Sequence, residues 1–275
     1  MKVLKNYVFL FIICFFVLPY RVYPGTISLE LKTTVELNKT VIFITLEIKN
    51  NGDSEAYKVL PKVHILNEIH QGQIIQSIIP GQTDISHFEI NIKEITKGRY
   101  PLVIDVDFHD GNNYPFSALS GMTFHNIEDV NPNLAVTAKD ISIELAGMLE
   151  VTLKNLDSFD KNIVAKLVLP KEIISPNPKL EFNLNAKSAK KIEFNVKNFA
   201  ASNLASYPVV CFFEFEHEKF HYTQLAKSII HIKPEENFFR KTRRTWEILS
   251  FILGLALIAA IIYNFLKQRQ SIKLK

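Results

Sequence analysis

The chain has 275 residues, 47% of them hydrophobic, and a formal net charge of +4. The basic excess is terminal: residues 1–24 and 240–275 carry eleven of the 32 basic groups, which leaves 21 against 27 acids between them, a formal charge of −6. An acidic middle is a poor match for nucleic acid, and two cysteines, Cys14 and Cys211, do not make a disulfide framework.

In chain order, Lys2 and Lys5 precede an apolar run from Tyr7 to Leu18, the charged and apolar regions of a secretory signal. Cleavage after Gly25 would leave Tyr23 where a small residue is preferred. Residues 1–25 are therefore expected to be either a signal peptide or a retained N-terminal signal anchor. From residue 26 onward, short runs such as ISLELKT, VIFITLEIKN, HFEINIK and RYPLVIDVDFHD alternate apolar and polar side chains between turn residues. Period-two patterning with turns every eight to twelve residues predicts an antiparallel sandwich.

The pattern is then written a second time. LEIKNNGDSEAYKVLP (46–61) is echoed by VTLKNLDSFDKNIVAKLVLP (151–170), Phe88–Lys93 by Ile192–Lys197, and Arg99–Ile104 by Ser206–Cys211. Matches in one order at a nearly constant offset predict a duplicated unit of about a hundred residues. The expected fold is all-β: two tandem immunoglobulin-like β-sandwiches at 26–127 and 133–233, separated near Asn131-Pro132, followed by a single transmembrane helix. In the first copy the turn between strands is assigned to Asn51, Gly52 and Asp53, with Gly52 supplying positive φ.

After a basic juxtamembrane stalk at 234–245, residues 246–266 form the expected span. Ile248 to Leu266 is free of charge and would be about 28 Å long as a helix, close to the hydrocarbon thickness. Basic groups balance on its two sides, so the N-terminal signal sets the orientation: the sandwiches outside the cytoplasm (periplasm or cell surface), residues 267–275 a cytoplasmic tail.

The strand ending K-N-x-G-x-x-x-A (Lys49, Asn50, Gly52 and Ala56, with Lys154 and Asn155 in the second copy) and the later Tyr-Pro strands resemble the CARDB family. They also resemble the related NPCBM-associated sandwich of bacterial and archaeal envelope proteins. The resemblance implies an extracytoplasmic adhesion, spacer or assembly module and carries no catalytic residues.

Residue chemistry adds few candidates. Asp105, Asp107, His109 and Asp110 have metal-ligand chemistry, but successive outward residues of one strand are expected as a solvated face. Cys211 falls on the inward face as a small core hydrophobe. His217 and His221 have the spacing of a helical zinc motif on a strand pattern, which does not give that geometry. Tyr100 and Tyr207 open equivalent strands, as corner tyrosines or as packing residues. No nucleophile elbow, P-loop, dinucleotide fingerprint or CxxC pair occurs, so no catalytic residue, cofactor or metal is expected. Candidate partner or membrane contacts are Val210 and Phe212, read as an apolar patch on an outer strand face, and Phe238, Phe239, Arg240, Lys241, Arg243 and Arg244 beside the membrane. The expected role is a membrane-anchored interaction or assembly protein facing another envelope or membrane protein. The alternative is a carbohydrate or surface-polymer binder, to which a middle without tryptophan is less suited.

Overall fold

A computed structural model describes residues 25–234 and 242–273. The first half contains β1 (Leu29–Asn38), β2 (Val41–Asn50), β3 (Ala56–Ile65), β4 (Glu68–Gln71), β5 (Ile75–Ile78), β6 (Thr83–Asn91), β7 (Lys97–His109) and β8 (Pro115–Asn126). Strands β1-β2-β6 form one antiparallel sheet, and β3-β7-β8, edged by β4 and β5, lie in another. The second half contains β9 (Leu134–Ala138), β10 (Ile141–Ile143), β11 (Ala146–Asn155), β12 (Lys161–Val168), β13 (Ile173–Ile174), β14 (Lys179–Leu184), β15 (Ala189–Asn198), β16 (Ser206–His217) and β17 (Phe220–Ile232). It pairs as β9-β11-β15-β13 and β14-β12-β16-β17, with β10 beside β17. The strand order of the first half thus recurs in the second. The helix α1 (Arg243–Lys273) follows.

Alternation places the cores. Ile42, Ile44, Leu46 and Ile48 on β2 are buried against Val59, Val63, Leu102, Ile104 and Val106 on β3 and β7. Leu149, Val151 and Leu153 on β11 meet Ile163, Ala165, Val209, Cys211 and Phe213 in a separate cluster. Each fully buried side chain of this kind contributes about 1.5–3 kcal/mol, and a one-residue register slip would turn every one of them outward. Leu102, Ile104 and Val106 face opposite to Val103, Asp105 and Asp107, as the pattern predicts. Burial among these side chains pushes the Cys211 thiol up to about 12.

The repeated turn is built by asparagine. Asn50 and Asn155 are both fully buried. Asn50 Nδ2 donates to Ser54 O (2.8 Å) and Ile78 O (2.9 Å), and its Oδ1 accepts from Gly52 N (3.0 Å). Asn155 Nδ2 donates to Phe159 O (2.8 Å) and Asn185 O (3.1 Å), and its Oδ1 accepts from Asp157 N (3.0 Å). The assignment of positive φ to Gly52 is corrected: among the glycines that region holds only Gly81 and Gly98. A Cβ on Gly52 would instead lie 2.1 Å from Thr26 O, so the glycine is there to admit the backbone leading into β1. Both tyrosines are corner residues. Tyr100 Oη donates to Thr96 O (2.9 Å), and Tyr207 Oη accepts from Ser202 N (3.0 Å).

Candidate functional site

Val210 and Phe212 lie on the reverse face of β16, as alternation requires, but they are not a surface patch. They are 1% and 2% exposed. Val103 on β7 and Leu119 on β8 cover them, with Val168 and Leu225 packed at the margin. The apolar patch is contiguous, and its occupant is the first half of the same chain. Gly121 makes the approach possible, because a Cβ there would sit 2.7 Å from Val210 Cγ1 and 3.1 Å from Phe212 Cζ. The larger sheets of the two halves therefore meet through their reverse faces, giving a third apolar layer between the two cores.

Polar contacts ring this layer. At one end Glu172, 1% exposed, accepts from Ser117 N (2.6 Å) and Ser117 Oγ (2.7 Å). Beside it Lys171 Nζ reaches Asp107 Oδ1 at 2.9 Å, and Lys62 Nζ takes the other Asp107 oxygen. Burial raises the Asp107 carboxyl, but hydrogen bonds from Lys62 and Lys171 and their charges outweigh it and hold the group below its ordinary value. The face expected to be solvated, with Asp105 and Asp107, is thus partly covered and its carboxylates are taken by lysines. Among the described residues no group of three or more His, Cys, Asp or Glu side chains could hold a metal ion.

At the other end β17 pairs in parallel with β7 over Phe220 to Lys97 and His221 to Gly98. Gly98 has φ of 137° and a Cβ there would lie 2.0 Å from His221 O, so no other residue fits. Thr223 Oγ1 donates to Arg99 O (2.8 Å). The His221 ring stacks on Tyr100 with centroids 4.3 Å apart and planes within 6°. Its Nδ1 lies 2.7 Å from Glu216 Oε1, and its Nε2 is 3.3 Å from Glu214 Oε2, an ion pair off hydrogen-bond alignment. Burial lowers His221, yet the contacts and charges of Glu214 and Glu216 prevail and leave it raised. Glu214 is pushed up by burial but held below its ordinary value by His221 and Lys166.

Lys161 is a further buried ion that periodicity does not reveal. Its side chain is fully covered. The ammonium meets Asp157 Oδ2 at 2.9 Å and donates to Pro132 O (2.7 Å) and Asn133 O (3.3 Å), with the Phe215 ring 4.6 Å away. All three donors are used, and they tie the connection between the halves to the turn before β12. Glu172, Ser117 and Gly121 were equally invisible in the sequence. The signal available for Lys161 was its place between Phe159 and the alternating core of β12.

Of the remaining candidates, Phe238, Phe239, Arg240 and Lys241 lie outside the described residues. Arg243 and Arg244 open α1. Within that helix Thr245–Tyr263, of mean hydropathy 2.2, is long and apolar enough to cross a membrane, and none of that stretch is buried.

No family model matches the chain, and no curated relative does. Among solved structures it is similar to Salmonella alpha-2-macroglobulin reacted with methylamine (9% identity over 76% of this chain and 16% of that one, TM-score 0.31). It is also similar to red sea bream transglutaminase (10% identity, 78% and 32%, TM-score 0.27). A third likeness is to the seventh ScaB type I cohesin of Pseudobacteroides cellulosolvens (14% identity, 38% and 95%, TM-score 0.26). This chain spans less than a fifth of the macroglobulin and about a third of the transglutaminase, and none of the three assigns it to a family.

Proposed function

We propose that the chain is a membrane-anchored interaction or assembly protein that presents two immunoglobulin-like sandwiches, arisen by duplication, to another envelope protein outside the cytoplasm. The CARDB-like turn at Asn50 and Asn155 supports an envelope module, and the apolar Thr245–Tyr263 helix supports a single-pass anchor. One observation carries the choice of surface: the larger sheets cover each other, so the β1-β2-β6 and β9-β11-β15-β13 sheets turn their free faces outward. β1, β6, β9 and β13 are the edges of these sheets, and β6 pairs with β2 alone. Its equivalent β15 is flanked on both sides, by β11 and β13. An open nine-residue edge is a template for strand addition. Phe43 and Ile85, 42% and 52% exposed, flank the Thr45–His87 hydrogen bond (3.2 Å) on the adjoining face.

The test is cross-linking in the native membrane followed by detergent extraction. The β1-β2-β6 face offers Lys32 and Lys49 as cross-linking sites. A specific membrane protein joined through them, and lost in Ile85→Glu, would support the assignment. A partner joined equally well to Ile85→Glu, but lost when Arg240, Lys241, Arg243 and Arg244 become Gln, would move the docking site to the juxtamembrane segment. If native cross-linking joins no protein to either surface, the interaction role falls.

A further inference from the structure

The register of the strands fixes which loops share an end. Leu29 at the start of β1 pairs with Asn50 at the end of β2, and Tyr57 pairs with His109, so β1 begins at the end of the block that holds the β7–β8 turn. In the second half β17 runs parallel to β7 and finishes at Ile232. Tyr114 in the β7–β8 turn donates to Ala200 O (3.4 Å), in the β15–β16 loop. That loop meets the end of β17 through Leu204 N to Ile232 O (3.0 Å), and Lys233 N donates to Ile143 O (2.7 Å). The halves thus stand side by side in opposite senses. The first strand starts, and the last strand ends, at one common end.

The loops of this end are apolar at their tips. Leu145, Phe199 and Leu204 are 69%, 72% and 71% exposed. Asn198 N donates to Leu145 O (2.8 Å), which brings Leu145 beside Phe199, and Leu204 is bonded to the strand end itself. Exposure alone does not single out this end, since Ile127 at the opposite one is 73% exposed. The path of the chain does. Eleven residues separate Lys233 from Thr245, the first residue of the apolar stretch. Arg243 and Arg244 already belong to α1, and the other nine reach about 35 Å when fully extended. β7 and β17 are themselves about 43 Å long at 3.3 Å per residue. The opposite end can approach the bilayer only if the whole block turns over on its tether.

Resting on the single-pass anchor proposed above, we propose that this end is a lipid-contact surface, with Leu145, Phe199 and Leu204 seated at the boundary between headgroups and acyl chains. Exposed apolar tips gain from that boundary what they lose in water, while Lys171 and Lys233 at the same end remain at headgroup level.

The test uses the full chain with Cys14→Ser, reconstituted in phosphatidylcholine vesicles whose acyl chains carry bromine. Single cysteines at Phe199, Leu204, Ile127 and Ile258 are labelled with a small fluorophore; Cys211 is buried and stays unlabelled. The expected result is strong quenching at Ile258, clear quenching at Phe199 and Leu204, and none at Ile127. Quenching at Ile258, with Phe199 and Leu204 no different from Ile127, would overturn the lipid-contact surface and leave the anchor standing. No quenching at Ile258 would remove the anchor, and the proposal with it.

Discussion

Glu172, in the loop after β12, closes both carboxylate oxygens on Ser117 of β8, 2.6 Å from the backbone nitrogen and 2.7 Å from Oγ. The two residues belong to different halves, and both are buried. A buried carboxylate is costly unless hydrogen bonds replace its hydration, and charge-assisted bonds of this length do so. Glu172→Ala strips the partner from a buried N–H and hydroxyl and should cost about 2–3 kcal/mol, against about 1 kcal/mol for Ser117→Ala. Urea midpoints of the full chain in detergent measure both. Equal, near-zero changes would show that the clamp adds nothing.

The layer around Phe212 makes the same claim by packing. Phe212→Ala opens a cavity worth about 3–5 kcal/mol, and Phe212→Asp places an unpaired charge against Val103 and Leu119. The halves of the parent chain should unfold in one calorimetric transition, and those of Phe212→Asp in two. A single unchanged transition in the variant would mean that the halves are coupled elsewhere.

The turn asparagines give a paired prediction. Asn50→Ala and Asn155→Ala each abandon buried carbonyls and should destabilise by similar amounts, about 1–3 kcal/mol. Gly52→Ala should also destabilise, through the clash with Thr26 O rather than through φ. Removing residues 25–28 should relieve that clash and make Gly52→Ala close to neutral in thermal denaturation.

The junction also sets a pH dependence. His221 is raised above its ordinary 6.5, so its contribution is complete below that value and is lost as pH rises through the higher folded one. Glu214 and Asp107 are held below their ordinary 4.5 and 3.8, so theirs are complete above those values and vanish as pH falls through the folded ones. Stability should be greatest between about pH 4.5 and 6.5. His221→Gln should flatten the alkaline side of the profile and leave the acid side dominated by Asp107. An unchanged alkaline slope in denaturation midpoints would deny His221 that part.

Strand identity and facing were legible because period-two alternation is a local property. Cys211 is inward beside Val209 and Phe213, and Tyr100 and Tyr207 open matching strands at matching corners. What covers a face is not local. Val210 and Phe212 alternate correctly but read as surface, since nothing near them in sequence announces Val103 and Leu119 more than ninety residues away. The side chains of Lys161 and Glu172 look like solvent residues for the same reason: Lys161 is covered only when the linker carbonyls of Pro132 and Asn133 join Asp157 around it, and Glu172 takes its partner from the other half. Gly52 reads in the sequence as an ordinary turn glycine, and its constraint comes from the backbone of Thr26–Ser28, about 25 residues earlier.

The proposed role requires both halves to lie outside a membrane for which α1 is the anchor. The direct measurement is a two-site accessibility assay on intact cells or spheroplasts. Ile127→Cys, at a position 73% exposed on the end opposite Ile232, is probed with a membrane-impermeant maleimide, and an epitope placed after Lys275 is probed with antibody. The expected result is labelling at 127 without permeabilisation and detection after 275 only once the membrane is opened. Equal access to both sites in intact cells would contradict it.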